Sequence, residues 1–359
     1  MRPEVRDDLR AALPGWAAGR VLTALGWLGA VVLVRWRASG VWTVQMHQGL
    51  FAWDGAFYRA IARDGYDAVG SAGARFHPLL PWLGRGDIGI LIVGNVAALL
   101  AAAAVHRLVR VVIGDADLAR RSATLVGIAP PAFVLVWAYA EGLLLLLSAL
   151  LLLALHHRSW WWVAALATLA TLARPTGTLL VVPVAVALLA APRPPIWPPA
   201  REWAARIAAI GAPGFVMVAW LWWVGVAFGD AWRPVQVQRE LRGGMRFPPF
   251  RLVEGLGEIV RDPLGDGLHL PFAVAIVWLT WVAWRRLPRT WGWYALVSTL
   301  VILSAANLNS TERYALGNVA LVVAAACVAN GRWWRPAVAL SALGLVGMSA
   351  LAWYGRYVP

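Results

Sequence analysis

An all-α, polytopic transmembrane helical bundle is the fold that this sequence predicts. Of the 359 residues, 60% are hydrophobic, and the mean hydropathy of +0.64 is well above that of a soluble domain. Apolar runs of about 17 to 25 residues recur along the chain, and each is long enough to cross a hydrocarbon core of roughly 30 Å as a helix. These runs recur from Trp16 to Tyr354, so we expect residues 1–359 to form a single membrane domain.

Charged or Pro/Gly-rich breaks divide the apolar sequence into about eleven predicted spans. Because the third to sixth spans are short and closely spaced, two of them are candidates for broken or re-entrant helices. The spans lie near 16–36, 88–110, 122–138, 141–156, 160–173, 176–191, 205–228, 269–285, 291–306, 314–330 and 336–354.

The distribution of arginine predicts how the spans are oriented. If the N-terminus is cytoplasmic, the inside segments are rich in arginine and the short outer turns carry few: Arg174, Arg313 and Arg356. The loops 38–86 and 229–268, which are also outside, together carry ten arginines and weaken this contrast. The charged stretch 1–10 is not followed by a short apolar region with a cleavage site, so we interpret the first span as a retained anchor. We therefore expect a multi-pass protein of the cell membrane with a cytoplasmic N-terminus.

The charge and cysteine content exclude several classes of function. The net charge is +14, and all 32 basic residues are arginines that lie mostly in short segments between apolar runs. Nucleic-acid binding is therefore a poor interpretation. An Arg-only basic set with abundant Ala, Gly and Pro is typical of a GC-rich, bacterial genome. The single Cys327 lies inside an apolar run, which supports neither a disulfide nor a metal site.

Two long loops, 38–86 and 229–268, have helical patterns of their own. In the first loop, Phe57, Tyr58 and Ile61 fall at helical spacing, and 252–260 repeats the pattern in the second. Such amphipathic helices are predicted to lie on the membrane surface. Both loops fall on the extracytoplasmic side of the predicted topology, so we expect a polar chamber over the outer ends of the spans.

The first long loop contains the densest motif of the chain. It reads Trp53-Asp54-Gly55-Ala56-Phe57-Tyr58, then Gly65-Tyr66, then Arg75-Phe76-His77-Pro78-Leu79-Leu80-Pro81. Further elements follow in order: Pro130-Pro131 with Tyr139-Ala140-Glu141, Ala173-Arg174-Pro175-Thr176-Gly177, Gly229-Asp230 with Gln236 and Gln238, and Arg313-Tyr314.

Together these elements resemble the PIG-V-like mannosyltransferases, bacterial relatives of the second mannosyltransferase of GPI-anchor assembly, among the GT-C glycosyltransferases. The resemblance extends from about residue 50 to 320, with His77 in place of the usual Phe and Ala231 in place of a Pro. It implies a GT-C fold and an inverting transfer of mannose from polyprenyl-phosphate-mannose. It also implies an extracytoplasmic active site, where the first outer loop supplies the catalytic acidic residue. Asp54 occupies that position.

The chemistry of transfer from a polyprenyl phosphate requires only one catalytic carboxylate. Sugar transfer from a polyprenyl phosphate needs a base for the acceptor hydroxyl, whereas the phosphate leaves already anionic and needs no general acid. Glycoside hydrolysis differs because its alkoxide leaving group needs a second, protonated carboxyl. From the residues alone, Asp54 is either this base or a helix N-cap that accepts backbone N–H bonds. The family resemblance favours the base.

Three further charged residues are candidates for the site. Glu141 is the one acidic residue within 125–155, and an uncompensated charge at the bilayer centre costs about 2.5–3.5 kcal/mol, so we expect it at the outer mouth. It either positions the acceptor or simply pairs with an arginine such as Arg174. Arg174 and Arg313 lie at predicted outer span ends, where each either binds the donor phosphate or snorkels to the interface.

The remaining candidates are expected to contact substrate, and no metal site is predicted. His77 either ligates a metal, relays a proton or is a hydrogen-bonded packing residue. No His, Asp or Glu cluster has metal-ligand spacing, and assistance by a divalent metal stays open. No phosphate-binding loop or nucleotide fingerprint occurs, which agrees with a lipid-linked donor and no other cofactor. The predicted substrate-binding residues are Trp53, Tyr58, His77, Tyr139, Glu141, Gln236 and Tyr314.

Two alternative functions remain after the sequence has been read. A transporter or lipid flippase also places charges at span ends, although no repeat of two similar halves is evident. An enzyme of the same kind that transfers another sugar, such as a pentose, is the second alternative. The expected partners are membrane lipids, the polyprenyl-phosphate sugar donor and an acceptor that is a glycolipid, a glycan or a protein. The sequence does not identify which.

Overall fold

The computed structural model describes residues 3–37, 40–190, 199–357 and 359, and this part of the chain is almost entirely helical. The first half contains α1 Pro3–Arg37, α2 Val44–Gln48, α3 Asp54–Asp64, α4 Gly70–Gly73, α5 Leu79–Gly84, α6 Asp87–Val112, α7 Ala116–Ile128, α8 Glu141–His156, α9 Trp160–Ala173 and α10 Val181–Ala190. The second half contains α11 Ala200–Phe228, α12 Arg233–Leu241, α13 Pro248–Arg261, α14 Asp266–Arg286, α15 Arg289–Leu303, α16 Thr311–Leu316, α17 Val319–Val328 and α18 Trp334–Tyr354.

Five helical segments of the described chain are long and apolar enough to cross a membrane. They are Pro3–Arg37, Asp87–Val112, Ala200–Phe228, Asp266–Arg286 and Gly331–Tyr354. Shorter apolar helices follow the same sequence runs: Glu141–His156, Trp160–Ala173, Pro175–Ala190 and Val319–Val328. The prediction of an all-α membrane bundle is confirmed at this level, whereas about eleven spans and their orientation stay predictions.

Two of the predicted spans are not single helices. Within the run 122–138, the helix α7 ends at Ile128, and a 3₁₀ turn follows at Pro130–Leu135. Pro130 and Pro131 cause this break, because proline lacks the N–H that an α-helix needs and clashes with the preceding turn. The run 314–330 is divided between α16 and α17, and the Asn318 side chain caps the second of them.

Close contacts between small residues bring the long helices together. A Cβ on Gly19 of α1 would lie 2.1 Å from the carbonyl oxygen of Gly127 on α7, so only glycine fits there. A Cβ on Gly142 at the start of α8 would lie 2.9 Å from the oxygen of Gly94 on α6. Small residues allow such close approach between membrane helices. The contact between α6 and α8 fixes the depth at which α8 begins.

Both long loops fold into helices, as their patterns predict, but the two helices face different surroundings. In the first loop, α3 buries Tyr58 and Ile61 against the bundle. In the second loop, α13 buries Arg251 and exposes Val253 and Leu256. The apolar face of α13 therefore points away from the protein, as in a helix lying along a membrane surface.

Candidate active site

The structure joins four of the charged residues predicted to form the site into one chain of ion pairs. Nη1 of Arg313 donates a hydrogen bond to Oδ2 of Asp54 over 2.6 Å. Nε of the same guanidinium lies 3.5 Å from Oε1 of Glu141, and Arg174 donates to that oxygen from the other side. The four residues come from α3, the start of α8, the end of α9 and α16. Opposite charges alternate along this chain: Asp54, Arg313, Glu141, Arg174.

The backbone before α3 aims Asp54 into the cluster. Trp53 precedes the helix with φ 57° and ψ −121°, a positive-φ conformation that costs a non-glycine residue about 1–3 kcal/mol. Its indole Nε1 donates to the carbonyl oxygen of Ala352 over 2.9 Å and holds this conformation. Asp54 is the first residue of α3, and its carboxylate pairs with Arg313. This geometry does not support the N-cap interpretation of Asp54.

Glu141 is buried within the bundle. Its side chain is 2% exposed, and its neighbour Gly142 packs against Gly94 and Ala98 of α6. The proline break after α7 allows α8 to begin at this point. The expected position at the outer mouth stays a prediction.

Arg174 compensates the buried charge of Glu141. Arg174 follows the last residue of α9, and its side chain is 9% exposed. Burial alone would lower the pKa of Arg174, but the neighbouring Glu141 raises it above its ordinary value. The pairing that the sequence left open as an alternative is thus present. Tyr58 lies close to both residues, and burial raises the pKa of its phenol.

Tyr314 lies among three guanidiniums. The guanidinium carbons of Arg242, Arg313 and Arg174 lie 4.5, 5.1 and 5.6 Å from the centroid of its ring. Burial raises the pKa of the Tyr314 phenol, but the three positive charges outweigh burial and lower it to about 8. Such an environment stabilises negative charge at this point of the site.

Two arginines of the site were not predicted from the sequence. Arg75 lies over Phe57 and Phe76, at 4.8 and 4.7 Å from the ring centroids, and interacts with Asp54. Arg242 reaches Tyr314 from the second long loop. The ten arginines of the two loops were a signal for such residues. The sequence alone does not say which of them turn inwards.

Backbone hydrogen bonds hold Arg242 in place. The loop after α15 lies against the segment 241–246, with an isolated antiparallel bridge between Met245 and Ala305. The carbonyl oxygen of Arg242 accepts from the backbone N–H groups of Ala306 and Asn307 over 3.1 and 3.2 Å. The second long loop is therefore attached to the chain just before α16, which carries Arg313.

The other predicted substrate-binding residues are not all at the cluster. The Tyr139 hydroxyl accepts a hydrogen bond from the backbone N–H of Asp54 over 3.2 Å, and the guanidinium of Arg313 lies 5.4 Å from its ring centroid. His77 is buried against Trp220, and its Nδ1 bonds the carbonyl oxygen of Thr171. Gln236 is exposed on α12, and the contacts of the described chain do not bring it to the cluster.

An apolar groove opens beside His77. Its volume is about 330 Å³, and α11 contributes Trp220 and Trp223 to its wall. Tyr66 lies between those indoles and the site, because its hydroxyl donates to the carbonyl oxygen of Phe76 over 2.7 Å. Trp220 contacts His77, which bonds Thr171, three residues before Arg174. The groove therefore ends near the C-terminal end of α9, which Arg174 follows.

Two buried polar atoms of the cluster, Arg313 Nε and Glu141 Oε2, have no hydrogen-bond partner in the described part of the chain. Such atoms are uncommon in folded proteins. No group of three or more His, Cys, Asp or Glu side chains suited to a metal ion occurs among the described residues.

Comparisons with known proteins give little beyond this geometry. No family model matches the chain, and no curated protein matches it. Among solved structures, the chain is similar to the oligosaccharyltransferase of Archaeoglobus fulgidus in complex with zinc and sulfate. The sequences are 15% identical, the TM-score is 0.42, and the match covers 94% of this chain and 53% of that chain. This chain thus spans about half the length of that protein. The resemblance to PIG-V-like enzymes stays a prediction.

Proposed function

We propose that this protein is a membrane-embedded glycosyltransferase that uses a polyprenyl-phosphate sugar, with mannose as the transferred sugar. The observation that carries the proposal is the ion-pair chain of Asp54, Arg313, Glu141 and Arg174, assembled from four separate parts of the sequence. The choice of mannose depends only on the motif resemblance.

The charge of the cluster suits a phosphate. The cluster contains four guanidiniums, those of Arg75, Arg174, Arg242 and Arg313, and two carboxylates, those of Asp54 and Glu141. It therefore has two positive charges in excess. A polyprenyl-phosphate sugar carries one negative charge, and its phosphate gains a second when the sugar leaves. Preorganised guanidiniums stabilise such developing charge most effectively in a site that excludes water.

Asp54 is the carboxylate that a substrate can reach. Its side chain is 24% exposed to solvent, whereas the Glu141 side chain is 2% exposed. In the proposed step, an acceptor oxygen attacks the anomeric carbon opposite the phosphate, and Asp54 takes the proton of the acceptor hydroxyl. The bond from the anomeric carbon to the phosphate oxygen breaks, and its electron pair stays on that oxygen. The product has the inverted configuration.

The apolar groove beside Trp220 and Tyr66 supports a lipid-linked donor. It presents almost entirely apolar surface and ends near Arg174, through His77 and its bond to Thr171. A prenyl chain in this groove would place its phosphate towards the arginines while its hydrocarbon stayed out of water.

The test is purified protein in detergent or vesicles with a labelled polyprenyl-phosphate sugar and a membrane extract as acceptor source. Transfer of labelled mannose to an acceptor, with inversion, is the expected result. A parallel assay with a polyprenyl-phosphate pentose tests the choice of sugar. Movement of the labelled lipid across vesicles without a new glycosidic bond would contradict the proposal in favour of a transporter.

A further inference from the structure

A second buried polar cluster lies behind the short helix α16. Nδ1 of His269 lies 2.9 and 3.0 Å from the two oxygens of Glu312, and the Tyr357 hydroxyl donates to Oε1 of the same carboxylate. The three side chains are 1%, 3% and 0% exposed. The Tyr357 ring lies over the imidazole, with centroids 5.1 Å apart. The proposed transfer step uses none of these residues.

The position of Glu312 connects this cluster to the candidate active site. Glu312 and Arg313 are neighbours on α16, and successive helical residues point about 100° apart, since an α-helix has 3.6 residues per turn. Glu312 therefore faces α14 and the C-terminal segment, while Arg313 faces Asp54. Any rotation of α16 that changes one set of contacts also changes the other.

The helix α16 cannot fix this orientation by itself. It has six residues, Thr311–Leu316, and isolated helices much shorter than about 12 residues are not stable. Its N-cap Ser310 has φ 63° and makes no side-chain capping bond to the helix. The orientation of α16 must therefore come from its side chains and from the segments that it contacts.

Helix α14 contacts α16 and the segment before it through one face. Asp266 accepts the backbone N–H of Leu308 over 2.8 Å, and His269, three residues later, bonds Glu312. Residues three apart lie on the same side of a helix. A buried carboxylate that loses a partner is strongly penalised, so Glu312 is held where both His269 and Tyr357 reach it.

We propose that Glu312, His269 and Tyr357 are positioning residues that orient Arg313 towards Asp54. The role in sugar transfer rests on the proposed function, whereas the orientation of α16 does not. Through the phenol of Tyr357, the C-terminal segment after α18 thereby contributes to the geometry of the site, although it lies outside every motif of the sequence.

The main test is Tyr357→Phe, which removes one hydroxyl and no packing volume. The variant loses a hydrogen bond to the charged Glu312, and we expect kcat to fall about tenfold, with a smaller change in KM for the donor. Tyr354→Phe is the matched control, because it removes a hydroxyl three residues earlier. In an Arg313→Lys background, Tyr357→Phe should lower kcat less than twofold, since the group through which it acts is already changed. Equal effects in both backgrounds would overturn the proposal.

His269 offers a conservative pair of variants. Asn places an amide N–H near the position of Nδ1, so His269→Asn should keep kcat within about threefold of wild type, whereas His269→Leu should lose at least tenfold. Equal losses in the two variants would contradict positioning by hydrogen bonding.

Amide hydrogen exchange tests the positioning independently of transfer. Tyr357→Phe should accelerate exchange in 308–318 and leave α1 and α6 unchanged, and Tyr354→Phe should leave both regions unchanged. If the wild-type protein transfers no sugar, the proposed function fails, and this exchange experiment still decides the positioning. Unchanged exchange in 308–318 of the Tyr357→Phe protein would overturn it.

Discussion

Arg313 and Asp54 are 259 residues apart in the chain, and a hydrogen bond of 2.6 Å joins Nη1 of the first to Oδ2 of the second. The Arg313 side chain is almost fully buried, while the Asp54 side chain is 24% exposed to solvent. Arg313 thus holds Asp54 from the inside and leaves part of it accessible from the outside. This relationship gives the Asp54 carboxylate a fixed direction, as the proposed role of a base requires.

The first prediction concerns Asp54 itself. Asp54→Asn keeps the shape of the side chain but removes the carboxylate that takes the acceptor proton, so we expect sugar transfer to fall by about 10² to 10⁴-fold. The measurement is transfer of labelled mannose from polyprenyl-phosphate-mannose. Asp64→Asn, at the exposed end of the same helix, should retain wild-type transfer. A folded Asp54→Asn protein with full activity would show that the base is another group.

The second prediction separates the structural from the functional role of Arg174. Arg174→Gln leaves Glu141 buried without its nearest positive partner, which should lower the free energy of unfolding by about 3–5 kcal/mol. The double variant Glu141→Gln/Arg174→Gln removes both charges and should recover most of that stability without recovering transfer. Denaturant titration in detergent measures the first effect, and the transfer assay the second. A double variant as unstable as Arg174→Gln would contradict this account.

Sequence motifs were sufficient to bring together the centre of the candidate site. The motif resemblance points to Asp54, and residue type together with a place near a predicted span end points to Glu141, Arg174 and Arg313. The structure places the four residues in one cluster. Their roles in catalysis and phosphate binding stay predictions. Periodicity likewise predicted helices within both long loops, where α3 and α13 occur.

The remaining parts of the site depend on tertiary contacts that no local pattern encodes. Arg242 reaches Tyr314 only because 241–246 pairs with the chain after α15. His269 begins an apolar run, and its bond to Glu312 joins segments 43 residues apart. The burial of Glu141 at the start of α8 follows from the helix break at Pro130 and Pro131, which lies inside the predicted span 122–138.

The third prediction concerns the acid stability of the protein. Burial, the largest effect, together with Arg174 lowers the pKa of His77 from 6.5 to about 4, although the bond to Thr171 opposes this change. The unfolded chain therefore binds a proton between pH 6.5 and 4 that the folded protein does not. The free energy of unfolding should be unaffected above pH 6.5 and fall by about 3 kcal/mol as the pH drops to 4.

His77→Phe isolates this contribution, because Phe fills a similar volume and does not titrate. The difference in the free energy of unfolding between wild type and His77→Phe should change with pH only between pH 6.5 and 4. His47→Phe, at an exposed position on α2, is the control and should follow the wild-type pH dependence there. Parallel curves for wild type and His77→Phe would contradict a buried, neutral imidazole.

The fourth prediction concerns Tyr314, whose pKa of about 8 lies below the ordinary value of 10 because of Arg242, Arg313 and Arg174. As the pH rises above 8, the folded protein loses the phenol proton, while the unfolded chain retains it up to pH 10. The folded state should therefore gain about 2–3 kcal/mol between pH 8 and 10, and this gain should be absent at pH 7.

Phenolate absorbance gives a direct measurement of that titration. One tyrosine should titrate near pH 8 in the wild type, and Tyr314→Phe should abolish this step. Arg242→Gln should move the midpoint upwards, because it removes the guanidinium nearest to the ring. Arg246→Gln, an exposed arginine of the same segment, should leave the midpoint unchanged. A midpoint that stays near 10 in the wild type would mean that the three guanidiniums are not assembled around Tyr314, and the cluster would then lack the excess positive charge on which phosphate binding depends.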